Sequence, residues 1–202
     1  MLHNMLIVIT TPDFFAGEAD LINLLFVNGL QRLHLRKPDS TRADYEGLLK
    51  TIAPEFLPKI VLHDHFDLAA EYGVHGVHLN RRNNQIPKGF CGSVSKSLHT
   101  VEELSAEGNN YDYVTISPIF DSVSKQGYNS QFSHEKLMEM RHNGLIDSHV
   151  IALGGITPQN IAQLQQYGFG GAMVLGALWN RRGDRESFLE VFRDLQTAAL
   201  NS

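Results

Sequence analysis

Short apolar, β-branched runs recur along the chain at Met5–Thr10, Arg32–Arg36, Lys59–His63, Gly76–Leu79, Tyr113–Ser117, Val150–Leu153 and Ala172–Leu175, with a weaker one at Phe90–Ser95. Runs of this length and composition read as buried strands. Between them, apolar positions fall at helical spacing over Gly17–Asn28, Thr41–Ala53, Phe66–Tyr72, Thr100–Glu107, His134–His142, Pro158–Gln166 and Asp184–Ala198. Strand then helix, repeated, predicts parallel pairing through right-handed crossovers. About eight such units without a long linker predict a closed (β/α)8 TIM barrel rather than an open doubly wound sheet, with the helices trimmed to suit a short chain. No Pro- or Ser-rich linker, charge block or low-complexity tract divides the 202 residues, so one domain over 1–202 is expected.

Composition narrows the function classes. A formal net charge of -5, with no basic run longer than Arg81–Arg82 or Arg181–Arg182, excludes a nucleic-acid-coating surface. The single cysteine, Cys91, forbids an intramolecular disulfide and agrees with a reducing compartment. The opening MLHNMLIVITTPD has too short an apolar run for a membrane span and lacks a basic region followed by a small-residue cleavage site. A cytoplasmic protein is expected; whether it forms a homo-oligomer stays open.

In such a barrel, chemistry gathers at the carboxyl ends of the strands. Strand two ends in His34 and Arg36, which alternate against Leu33 and Leu35 and share the opposite face. Strand three ends in His63 and Asp64, followed by His65 and Asp67, and strand four ends at His78 and Asn80. Strand six ends at Ser117, with Ser122, Ser124 and Lys125 in its loop. Strand seven delivers Gly154 and Gly155, and strand eight Leu175 and Gly176.

Two adjacent glycines at a strand end let backbone approach a ligand, and a helix starting at Thr157 and Pro158 would aim N–H groups at an anion such as phosphate; a tight connection alone also accounts for them. A valine at Gly155 would then block that site without unfolding the chain. Arg36 suits either an anion clamp or an ion pair with Asp64 or Asp67. Asp64 suits Mg²⁺, and Asp67 suits either a ligand role or a helix cap. Ser122, Ser124 and Lys125 donate hydrogen bonds and suit an anion clamp or a solvated loop. His99, two residues after Ser97, is a helix-start residue or a pocket wall. His63 and His65 flank Asp64 at a spacing that points neighbouring side chains to opposite faces of a strand, which disfavours zinc.

Seven segments carry a resemblance: LHLRKPD through residue 39, LHDHFDLAAEYGVHGVHL over 62–79, SLHTVEEL over 97–104, YDYVTISPIF over 111–120, SVSK over 122–125, VIALGGITPQNI over 150–161 and GFGGAMVLGAL over 168–178. In that order and spacing the chain resembles the thiamine phosphate synthase and thiazole tautomerase family along nearly its whole length. The resemblance implies an Mg²⁺-dependent transferase of thiamine biosynthesis, which couples an aminopyrimidine diphosphate with thiazole phosphate to give thiamine phosphate and pyrophosphate. It implies a dissociative displacement driven by charge and positioning. Arg36 and Lys125 would hold the diphosphate, with Ser97 beside it, and Asp64 and the position of Asn83 would mark the metal. Ser122, Ser124, Gly154, Gly155, Leu175 and Gly176 would receive the thiazole phosphate.

Four positions depart from the family pattern. His34 stands for glutamine, Pro38 for a diphosphate-binding lysine, with Lys37 the neighbour that would reach round, His63 for the asparagine before the metal aspartate, and Asn83 for a second metal aspartate. A neutral amide is a weaker ligand for Mg²⁺ than a carboxylate. The tautomerase branch shares His34 and needs no diphosphate apparatus, but its proton-transfer histidine falls at Pro118, so His34 or His63 would take that step. Three readings follow: the synthase, a tautomerase-like isomerase of a thiazole phosphate carboxylate, and a phosphate-ligand-binding or regulatory barrel without turnover.

Overall fold

Each predicted strand appears, within three residues of its expected bounds, in a computed structural model that describes residues 4–121 and 132–200. The strands are β1 (Met5–Ile9), β2 (Arg32–Leu35), β3 (Ile60–Leu62), β4 (Gly76–Leu79), β5 (Ser93–Leu98), β6 (Tyr113–Ile116), β7 (Val150–Leu153) and β8 (Gly171–Val174). They follow one another in chain order as a closed parallel barrel, the predicted (β/α)8 fold. Helices α1 (Glu18–Val27), α2 (Arg42–Thr51), α3 (Leu68–Glu71), α4 (Val101–Glu107), α5 (His134–His142), α6 (Gly176–Trp179) and α7 (Arg185–Leu200) are interleaved with them. The chain forms two compact units, Val8–Ser95 on one hand and Met1–Ile7 with Lys96–Ser202 on the other.

In the Val8–Ser95 unit, β2 pairs with β3 through Leu33 opposite Ile60 and Leu35 opposite Leu62, and β3 pairs with β4 through Leu62 opposite Val77. Leu33, Leu35, Ile60, Leu62 and Val77 are fully buried, as expected of strands covered on both faces. Helix α2 begins on Thr41, whose hydroxyl accepts from Asp44 N while the Asp44 side chain accepts from Thr41 N, a reciprocal cap. Its buried Tyr45 donates to Leu35 O and so ties the helix to the carboxyl end of β2.

Helix α1 is tied to the same strand end by charge. Lys37 is buried, and its ammonium donates to Glu18 Oε1 at 2.7 Å, Glu18 Oε2 at 2.8 Å, Asp13 O at 2.8 Å and Thr11 O at 3.0 Å, with the Phe14 ring 4.7 Å away. Every proton of the ammonium is spoken for. This corrects the expectation that Lys37 reaches round to a diphosphate: the side chain faces α1.

In the other unit, β6, β7 and β8 pair in parallel, with Val114 opposite Val150 and Leu153 opposite Met173. Helix α7 buries Phe188, Phe192, Leu195 and Ala199, spaced three or four residues apart along one stripe.

Two expected elements differ. The strand expected at Phe90–Ser95 runs instead over Ser93–Leu98, where the sequence SVSKSL hides its inward positions because Ser95 is buried as a hydrogen-bonding group rather than an apolar one. The helix expected from Pro158 is a 3-10 segment over Ile161–Tyr167. Asn160 is the reason: its side chain accepts from Thr157 N and donates to Gly155 O, which turns the chain before it can wind.

Removing one partner of a buried ion pair leaves an uncompensated charge. Glu18→Ala is therefore expected to lower unfolding free energy by about 3–5 kcal/mol, read from urea denaturation. A loss within error of zero would show that the Lys37 ammonium finds solvent.

Candidate active site

At the carboxyl ends of β2, β3 and β4 the structure gathers Arg36, Asp64, Arg82 and Asn83. Asp64 is buried, and its carboxylate accepts three donors: Lys37 N at 3.1 Å on Oδ2, and Asn83 Nδ2 at 3.1 Å and Arg82 at 3.2 Å on Oδ1. Asn83 Nδ2 also donates to His63 O at 2.9 Å, so its amide N–H₂ and not its oxygen faces Asp64. Asn80 Oδ1 accepts from the backbone N–H groups of Arg82 and Asn83 and shapes this loop.

Arg36 takes neither of the ion pairs open to it in sequence. Asp64 pairs with Arg82 and Asp67 with Arg42, and no ion pair holds Arg36 among the described residues. Its backbone is pinned instead, because Thr10 Oγ1 accepts from Arg36 N at 2.9 Å and donates to Arg36 O at 3.1 Å. Burial and then the neighbouring Arg82 charge draw the Arg36 guanidinium below its ordinary value, with Asp64 and Asp39 acting the other way. Two guanidiniums near one carboxylate suit an anion that would lie against both. Asp67 stands at the start of α3 but makes no side-chain cap; Arg42 draws its carboxylate away at 2.7 Å, which corrects the capping reading.

Behind Asp64 lies a cluster that spacing alone did not reveal. His34, His63 and His78 bring their ring nitrogens within 4.8 Å of one another, with His34 Nδ1 2.8 Å from His63 Nε2. His63 and His78 stack at 4.3 Å between ring centres. Burial, the largest cause for each ring, holds His34 and His63 well below the usual histidine range and His78 down to about 3. His65 lies apart from them, its Nε2 3.0 Å from Ser40 O.

The Met1–Ile7 with Lys96–Ser202 unit carries the glycine loop. Gly154 and Gly155 have φ of 101° and 66°, and a Cβ at Gly155 would lie 2.4 Å from Asp121 O. These glycines are therefore demanded by the backbone itself, which corrects the reading that a side chain there would fill a ligand site and leave the fold intact. Their carbonyls accept from Phe120 N and from Asn160 Nδ2, and no acceptor meets the N–H of Gly155 or Ile156 among the described residues. Leu175 and Gly176, both half-buried, open α6. Ser97 lies within β5 rather than in a loop. His99 donates its backbone N–H to Glu103 Oε2, and its Nδ1 lies 3.4 Å from Ser117 O, so it serves the start of α4. Ser122, Ser124 and Lys125 lie outside the described residues.

Arg82 and Asn160 are the residues that motif reading missed. Neither NRRNN nor PQN announces which carboxylate or carbonyl the side chains of Arg82 and Asn160 will meet.

The histidine cluster sets an acid limit on the metal-free protein. Its rings stay neutral when folded, whereas the unfolded chain restores the ordinary value of about 6.5. The unfolded state thus binds more protons below that pH, so stability holds above about pH 6.5 and falls as pH drops, by about 1.4 kcal/mol per unit for each ring. Urea midpoints of chelator-treated protein measured downward from neutrality are expected to fall accordingly; a flat profile to about pH 5 would show rings open to solvent.

Three comparisons agree with this geometry. The family model described as thiamine monophosphate synthase matches residues 6–178. A crystal structure of thiamine phosphate pyrophosphorylase from Bacteroides thetaiotaomicron superposes with a TM-score of 0.88 at 41% identity, covering 96% of this chain and 97% of that one. The thiamine-phosphate synthase of Histophilus somni is 26% identical over 71% of this chain and 68% of its own, and that of Listeria welshimeri 29% identical over 58% and 60%. With the barrel, the strand-end constellation and a match over most of its length, the chain belongs to the thiamine monophosphate synthase family and is a transferase of thiamine biosynthesis.

Proposed function

We propose that this transferase couples an aminopyrimidine diphosphate to thiazole phosphate, releasing pyrophosphate and forming thiamine phosphate in the cytoplasm. The observation that carries the reading is Arg36 beside Arg82 and the buried Asp64: a half-buried guanidinium on a pinned backbone, with no ion pair among the described residues, suits a departing diphosphate. The carbon–oxygen bond to the diphosphate breaks with its electron pair on the bridging oxygen, and the thiazole nitrogen lone pair attacks the carbon left behind. The protein supplies charge and position rather than a proton.

Arg36 forks two oxygens of the diphosphate, and Arg82 follows as the leaving charge grows. The family resemblance assigns Lys125 and Ser97 to the diphosphate as well. Ser122 and Ser124, the amides of the Gly154–Gly155 loop, and Leu175 with Gly176 receive the thiazole phosphate. Lys37 N and Asn83 Nδ2 hold Asp64 in one orientation from its two oxygens.

Asp64 is the carboxylate that would hold Mg²⁺ as a companion of the diphosphate, with substrate oxygens as the other ligands, once it is shared with its donors Lys37 N, Asn83 Nδ2 and Arg82. Asn83 offers N–H₂ toward Asp64 and Arg82 supplies a cation there, so neither adds a carboxylate to the site. Bound at Asp64, Mg²⁺ would neutralise charge on the leaving oxygens. Against the isomerase reading, the His34 and His63 rings are buried with His78 and Pro118 has nothing to titrate.

Purified protein with both substrates and Mg²⁺ is expected to form thiamine phosphate, and Arg36→Ala to lower kcat about 10²–10³-fold. Asn83→Asp should lower the Mg²⁺ concentration that gives half the maximal rate. No product above background from the parent protein would overturn the reading; isomerisation of the thiazole phosphate carboxylate without pyrimidine would replace it with the tautomerase.

A further inference from the structure

Three adjacent strands each bring one histidine to a single point. Leu62 lies opposite Val77, so His63 follows to the level of His78, while His34 enters from β2 one step earlier, opposite Val61. No ring is more than 3% exposed, and the ring centres lie 4.3 to 5.0 Å apart. The tautomer of His78 follows from Ser95. Ser95 Oγ is 2.8 Å from His78 Nδ1 and 3.4 Å from Val77 O, which can only accept. Donating to that carbonyl leaves Oγ to accept from Nδ1–H, and this puts the His78 lone pair on Nε2.

We propose that His34, His63 and His78 form a binding site for a divalent transition metal, with zinc as the expected ion and a water or ligand oxygen completing a tetrahedron. Imidazole nitrogen selects zinc-like ions over Mg²⁺, which prefers oxygen, so this site differs in chemistry from Asp64. Three histidines and one open position are the donor set of catalytic zinc. A Zn–N length of about 2.0–2.1 Å sets ligand nitrogens about 3.3 Å apart. The His34–His63 pair, at 2.8 Å, then opens by about half an ångström as the ion replaces the shared proton, and His78 closes in from within 4.8 Å. The Ser95 contact is the outer-shell hydrogen bond that commonly orients a ligating imidazole.

The test reads metal rather than turnover and so stands apart from the synthase reaction. Tag-free full-length protein, stripped with chelator, is titrated with Zn²⁺ by calorimetry and with Co²⁺ by absorption. One equivalent of zinc and the intense visible bands of four-coordinate cobalt are expected. His34→Gln and His78→Ala should abolish the bands, Ser95→Ala should weaken zinc binding about 10-fold, and Asp64→Asn should retain it. His63→Asn, close to isosteric, serves if an alanine variant fails to fold, with circular dichroism as the control. Absence of tetrahedral bands in the parent, or binding unchanged in His34→Gln and His63→Asn, would overturn the proposal. So would loss of binding in Asp64→Asn with retention in the histidine variants, which would assign the ion to the carboxylate.

Discussion

Lys37 is pulled in two directions, and the strand-end site depends on both. Its ammonium is locked to Glu18 and two carbonyls beneath α1, while its backbone N–H donates to Asp64 Oδ2. A buried ion pair is weak evidence for net stability, but it is a strong geometric constraint, because neither charge can leave its partner without a large desolvation cost. The carboxyl end of β2 is fixed in this way, and Asp64 takes its orientation from that fixed backbone.

Positions that the sequence resemblance marks as departures meet around the same residue. Asn83 turns its amide hydrogens toward Asp64 and toward His63 O, and Arg82 lies on the same carboxylate oxygen. A carboxylate at 83 would repel Asp64 unless a cation lay between them, whereas an amide and a guanidinium satisfy it directly. Arg82 and Asn83 thus set donor hydrogens, one of them on a cation, against the same carboxylate oxygen. His63 sends its ring into the cluster with His34 and His78, so two positions that the resemblance marks as departures belong to one packed group.

In the glycine loop the backbone sets a requirement of its own, beside any ligand. Gly154 and Gly155 do lie where β7 ends, and no acceptor meets the N–H of Gly155 or Ile156 among the described residues. Yet the neighbouring backbone at Phe120 and Asp121 and the positive φ angles demand glycine before any ligand arrives. The loop owes its shape to Asn160 rather than to a helix beginning at Pro158.

Strand and helix order, the barrel and the strand ends that carry polar residues were legible in the chain, because apolar periodicity reports burial and burial in a parallel sheet is continuous along each strand. Arg36 and Asp64 were legible as charged residues closing apolar runs. Partner choice was not. Whether Arg36 or Arg82 meets Asp64, whether Lys37 faces a ligand or Glu18, and whether His63 joins His65 or His34 and His78 all turn on contacts between residues far apart in the chain. Such contacts are set by strand register and side-chain direction, which local sequence does not encode. Residue type and period thus determined what chemistry stands at the strand ends, and tertiary packing alone decided which groups share a proton, a charge or a metal.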